Sequence, residues 1–181
     1  MRIAPVLPLL LSLAVASPAA FAASGNDWSP PKPTETTRVC KGKKVWDAKK
    51  KRCVRPRQSS LNQQQLLGAA RELAYAGRIE DAQAVLSAMA DQQDSLVLTY
   101  WGFTHRKLGN SAEARAAYDQ ALLRDPDNLL ARSYMGQGLV EQGKSGAALL
   151  QWQQIRARGG SGSWAEVSLR KALETGASYG Y

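Results

Sequence analysis

The chain is poor in the residues on which most site chemistry depends: 181 residues contain a single histidine and two cysteines. His105 stands far in sequence from Cys40 and Cys53, so a His/Cys zinc set lacks donors, and no metal or cofactor is expected. The cysteines are 13 positions apart, which excludes the C-x-x-C redox spacing. There is no G-x-S-x-G elbow, no H-E-x-x-H pair and no Walker loop. Gly159-Gly160-Ser161-Gly162-Ser163 is glycine-rich but lacks a following Lys and reads as a linker. Neighbouring carboxylates, Glu80 with Asp81 and Asp125 with Asp127, fall at expected helix starts and turns, where acids favour the helix N-terminus. His105 falls on the inward run of an expected helix and reads as a packed core histidine. These absences predict a non-enzymatic protein.

Long apolar runs are also scarce. The one candidate, residues 3–15, contains Pro5 and Pro8 and is shorter than the ~20 residues a membrane helix needs. Arg2 before it and Ala20-Phe21-Ala22 after it fit a cleaved export signal over residues 1–22, with Ala23 as the new N-terminus. The mature chain is therefore expected to have no transmembrane segment and to lie in the periplasm, full secretion being the alternative. An oxidising compartment makes a Cys40–Cys53 disulfide the natural reading of the pair.

Acidic residues are few against basic ones, giving a net charge of +9, but the imbalance is local. Ten Lys or Arg lie between Arg38 and Arg57, with Asp47 the one acid among them. From Leu61 onward, 12 basic residues meet 12 acidic ones. The basicity thus describes one short segment and says nothing of the larger domain's surface.

What the sequence does have is a repeat. Tyr100-Trp101-Gly102 returns 34 residues later as Tyr134-Met135-Gly136, and Gly109, Ala114 and Tyr118 return as Gly143, Ala148 and Trp152. A weaker copy precedes them at Ala70, Leu73, Gly77, Ala82 and Leu86. Each copy divides at a glycine into two helices, expected over 66–76 and 79–90, 96–108 and 111–124, then 129–142 and 146–157. Gly77, Gly109 and Gly143 suit left-handed helix ends, Asn110 with Glu113 suggests a capping box, and Pro126 ends a helix. Gly102, Gly136, Ala82, Ala114 and Ala148 are small enough for helices to cross at about 8–10 Å. Residues 164–173 read as a last, capping helix.

The period and the small-residue positions resemble the tetratricopeptide repeat family, through Gly102, Gly109, Ala114, Tyr118, Ala121 and Pro126 above all. The resemblance implies an all-α fold, a short α-solenoid of three helix pairs plus the capping helix. It divides the chain into signal peptide (1–22), Pro-rich flexible tether (23–37), basic disulfide β-hairpin (38–57), linker (58–62), repeats (63–94, 95–128, 129–162) and cap with tail (163–181). In that family the first helix of each pair lines a concave groove that receives a partner segment. Carried over, this implies contacts from Arg71, Thr99, Tyr100, Phe103, Arg106, Ser133, Tyr134 and Gln137 to a protein partner.

The basic hairpin offers a second surface. Lys43, Lys44, Lys49, Lys50, Lys51 and Arg52 around Trp46 could hold an envelope polyanion or glycan; the alternative is that Trp46 packs on the disulfide while the cations stay solvated. Cys40-x-Gly42-x3-Trp46-Asp47-x5-Cys53-Val54 is similar to part of the chitin-binding peritrophin module, which has six cysteines where this unit has two. Nucleic acid is not expected as a partner of an exported chain. Two functions follow as expectations: an adaptor or scaffold gripping a protein segment, or an envelope-binding protein that uses the hairpin.

Overall fold

The computed structural model describes residues 31–178, so the expected export signal and the start of the tether lie outside the described residues. A short helix α1 (Glu35–Arg38) leads into strands β1 (Val45–Asp47) and β2 (Arg52–Val54), then a 3-10 turn (Pro56–Gln58). The rest is helical: α2 (Gln63–Tyr75), α3 (Ile79–Leu86), α4 (Ser95–Lys107), α5 (Ser111–Arg124), α6 (Leu129–Glu141), α7 (Ser145–Ala157) and α8 (Trp164–Thr175). Among the described residues no helix is long and apolar enough to cross a membrane.

The helices associate in sequence order, α2 with α3, α4 with α5 and α6 with α7, while α8 packs on both α6 and α7. Local chemistry sets these limits. Gly77, Gly109 and Gly143 adopt φ of 75°, 80° and 71°, a left-handed conformation that costs glycine little and turns the chain within three residues. The first helix of each pair, and α8, begins at a side-chain cap: Asn62, Asp94, Asn128 and Ser163 each accept a backbone N–H of the first turn. Asn62 and Gln65 form a full capping box. The box expected at Asn110 and Glu113 is absent, because the Gly109 turn commits the Asn110 N–H to the His105 carbonyl and leaves its side chain without a capping bond. Helix α3 stops at Leu86, short of the expected residue 90, where the Gln92 amide takes the carbonyls of Leu86 and Met89.

Small residues fix the helix crossings. A Cβ on Gly102 would sit 2.4 Å from the Tyr118 ring, so α4 and α5 meet at that contact. A Cβ on Gly136 would sit 2.5 Å from Leu169, so α6 and α8 meet at that contact. Trp152 is half-buried and donates its indole N–H to Glu166 at 2.7 Å. Ala82, Ala114 and Ala148 are buried, as their expected places at crossings require.

The segment before α2 is not a free tether. Glu72 of α2 accepts the backbone N–H and hydroxyl of Thr34, both at 2.7 Å, and the backbone N–H of Thr37 at 3.2 Å; the Thr37 hydroxyl also donates to it. Arg78, at the α2–α3 turn, donates to the carbonyls of Thr36, Cys40 and Gly42. Val45 and Val54 enter the same core as Leu66, Leu73 and Val85. The disulfide hairpin is therefore docked on the first helix pair, where the sequence suggested a unit hanging in front of it.

Candidate functional site: a basic cleft beside the disulfide hairpin

The residues expected to line a groove are mostly interior. Thr99, Tyr100, Phe103, Arg106, Ser133, Tyr134 and Gln137 are all buried, and Arg71 is half-buried. Aromatic packing accounts for three of them. Tyr75 stacks on Phe103 at 5.4 Å, Phe103 lies 4.9 Å from Tyr134, and Tyr134 meets Tyr100 at 6.3 Å and Trp164 at 5.9 Å. The Tyr75 and Tyr134 hydroxyls are bonded to each other. Rings from α2, α4, α6 and α8 thus fill the space that an open trough would offer a peptide.

Polar pairing holds the rest inward. Asn128 donates to the Thr99 hydroxyl at 3.0 Å, and the Ser133 and Ser168 hydroxyls meet at 3.0 Å, with the Gln137 amide donating to both. Arg106 donates to Glu141 at 2.7 Å. Burial pushes the Tyr134 phenol well above its ordinary value, with the Tyr100 and Tyr75 phenols adding to it, and burial also raises Tyr100. These side chains hold the helices together and are withdrawn from a partner. His105 is half-buried, stacked on Trp101 at 5.7 Å, and so less interior than its sequence position suggested.

The hairpin is built on Asp47. Its strands pair antiparallel, Val45 opposite Val54, Trp46 opposite Cys53 and Asp47 opposite Arg52, and the Cys40–Cys53 disulfide ties β2 to the chain before β1. In the chain-entropy account a loop of ~15 residues closed this way gains roughly 3 kcal/mol. The Asp47 carboxylate accepts the backbone N–H groups of Lys49 and Lys50 at 3.1 Å, and the backbone N–H and hydroxyl of Ser60 at 2.7 and 2.8 Å. Burial alone would raise this carboxyl, but the Ser60 and Lys50 hydrogen bonds and the Lys50 charge outweigh it and hold it at about 2. The one acid of the basic segment is therefore held ionised inside the hairpin, one negative charge against ten positive ones.

Those cations divide between two faces. Lys43 and Lys44 join Lys41, Arg55 and Arg57 around a cleft of about 570 Å³, floored by Gly42, Pro56, Ala84 and Ala88. No carboxylate lines it. Arg57 is steadied by donating to the Ser87 carbonyl at 3.1 Å. Lys49, Lys50, Lys51 and Arg52 sit at the hairpin tip and outside this cleft; Lys50 donates to the Gln58 carbonyl. Trp46 is half-buried and lines a separate depression with Gln65, Gly68, Arg71 and Glu72, away from Lys43 and Lys44. The expected ring of cations around an exposed Trp46 is not formed, because β-strand alternation sends Val45 and Asp47 to one face and Trp46 to the other.

Sequence reading missed Arg55, Arg57, Ala84 and Ala88 as members of one cleft. The two arginines were visible as charge, but only docking of the hairpin against α3 brings them beside Lys43. Glu72 and Arg78, which make that docking, carried no motif that would mark them. Comparison with protein-family models, with curated proteins and with solved structures finds no match for this chain.

Proposed function

We propose that this protein is a non-enzymatic binding module that captures a polyanionic partner of the cell envelope on the basic cleft between the hairpin and α3. One observation carries the reading: five cations border a single open cleft that has no carboxylate in its lining. A surface of this kind attracts anions at a distance and holds them through several charge-assisted contacts. The disulfide suits an oxidising compartment, in keeping with an exported, periplasmic location. The helical part is read as three tetratricopeptide-like pairs with a capping helix, forming a short solenoid. Support for that comes from the 34-residue recurrence and the successive pairs turning at Gly77, Gly109 and Gly143. Its role here is to hold the hairpin rigidly, since the side chains proposed for a groove are occupied with one another.

Equilibrium binding of the intact protein to lipopolysaccharide micelles and to heparin tests the proposal. Affinity should fall steeply between roughly 50 and 200 mM salt, as counterion release requires. Binding that is absent, or indifferent to salt, would count against the proposal. The adaptor reading would instead be favoured by retention of a peptide ligand at high salt.

A further inference from the structure

The turn from β1 to β2, residues 48–51, carries Lys49, Lys50 and Lys51, and Arg52 opens β2 directly after it. All four are exposed, and none lines the basic cleft or the Trp46 depression. Lys50 leans back toward the body of the hairpin: it donates to the Gln58 carbonyl and lies 4.0 Å from the Asp47 carboxylate. Lys49, Lys51 and Arg52 make no side-chain hydrogen bond or ion pair among the described residues. Asp47 is the one acid in the sequence between Glu35 and Glu72, and its side chain is buried, so the surface of the turn shows positive charge alone.

The turn is also held in place. Asp47 accepts the backbone N–H groups of Lys49 and Lys50, and the Cys40–Cys53 disulfide ties down the strand that follows. Lys51 has φ of 50°, a left-handed conformation that crowds a Cβ and that glycine takes without steric penalty. Every other residue of positive φ among those described is a glycine. At this one position the chain keeps a lysine against the conformational preference, and the side chain so kept adds its charge to the tip.

The shape of the tip selects its partner. Standing outside both depressions, these cations do not surround a compact ligand, and a small anion in water would meet them one at a time, where each pair is weak and screened by salt. An extended anionic plane meets them together and adds the potential of its own surface. Ala48 is the only apolar residue of the turn, so nothing large enough to enter hydrocarbon stands there. We infer that the hairpin tip is a contact surface for an anionic phospholipid bilayer, with Lys49, Lys51 and Arg52 against the headgroups and no side chain in the membrane core. The inference does not rest on the basic cleft, since the two surfaces share no residue.

The test is flotation of the intact protein with vesicles of phosphatidylglycerol mixed into phosphatidylcholine, and with vesicles of phosphatidylcholine alone. The parent should prefer the anionic vesicles, each tip cation strengthening the binding about fivefold. A tip variant, Lys49→Gln with Lys51→Gln and Arg52→Gln, is set against a cleft variant of equal charge, Lys43→Gln with Arg55→Gln and Arg57→Gln, so that contact through the tip and through the cleft are told apart. The tip variant should bind the anionic vesicles more weakly than the cleft variant by about tenfold or more. Lys51→Gly, which eases the backbone and so guards against a folding defect, should melt no lower than the parent and bind about fivefold more weakly. A parent that treats both kinds of vesicle alike, a tip variant less than about tenfold weaker than the cleft variant, or Lys51→Gly binding as the parent does would overturn the inference.

Discussion

Two glycines in helices of similar length predict opposite effects for one substitution. Gly68 lies in α2 with nothing within 4 Å of where a Cβ would stand, while Gly102 lies in α4 with three Tyr118 ring carbons at 2.4, 2.6 and 2.8 Å from that point. In an open helix position, alanine should stabilise by about 0.5–1 kcal/mol, through lower backbone entropy in the unfolded chain and better helix propensity. The same gain is available at Gly102, but the ring there is enclosed and cannot swing aside. Overpacking of a dense core costs roughly 1–3 kcal/mol, so Gly102→Ala should lose about 1–2 kcal/mol net. For a domain of this size that separates the two variants by about 2–4 °C in Tm for each kcal/mol of difference. Thermal and urea unfolding, followed by far-UV circular dichroism, would measure both. Tyr118→Leu should also cost less in the Gly102→Ala background than alone, since it removes the atoms in conflict. Gly102→Ala equal to or more stable than the parent would refute the α4–α5 contact as described.

Three further outcomes follow from named contacts. The Asp47 carboxyl is depressed from 3.8 to about 2, so its contribution to hairpin stability is complete above about pH 4 and lost as pH falls toward 2; an acid titration of near-UV ellipticity should show this step, and Asp47→Asn should remove it. Glu72→Ala takes away the acceptor of Thr34 and Thr37, and trypsin should then cut at Arg38 roughly tenfold faster or more, with the helical signal retained. Burial raises the Tyr118 phenol from 10.0 to about 12, a shift that the Arg106 charge moderates, and Tyr134 and Tyr100 are raised as well. Stability from these phenols is full below pH 10 and lost as pH climbs to about 12 and beyond, so of the chain's six tyrosines these three should add their phenolate absorbance only together with unfolding.

Helix positions were legible because their signals are local. Left-handed glycines act within a few residues of where they stand, and α5 runs from Ser111 to Arg124 as expected, although Asn110, the cap read there, makes no capping bond. Burial was not legible in the same way. Periodicity shows which residues share a face, yet Ser133 and Gln137 become interior only because α8 returns to cover α6, and Phe103 and Tyr134 only because Tyr75 and Trp164 converge on them. The basic segment was conspicuous as composition, but its division into a cleft and a tip depends on Arg78 and Glu72 binding the chain ahead of the hairpin. Long-range contacts made by residues without a motif escape sequence reasoning for that physical reason.

The central claim is that fixed cations beside the hairpin capture a polyanionic partner. Charge reversal measures it most directly: Lys43→Glu with Arg57→Glu against Lys171→Glu on α8, each compared with the parent for binding to lipopolysaccharide micelles at one salt concentration. The account predicts that the double variant loses most of its affinity while Lys171→Glu, which reverses one charge where the double variant reverses two and stands far from the cleft in sequence, loses far less than half as much binding free energy. Equal losses in both, or none in the double variant, would contradict it.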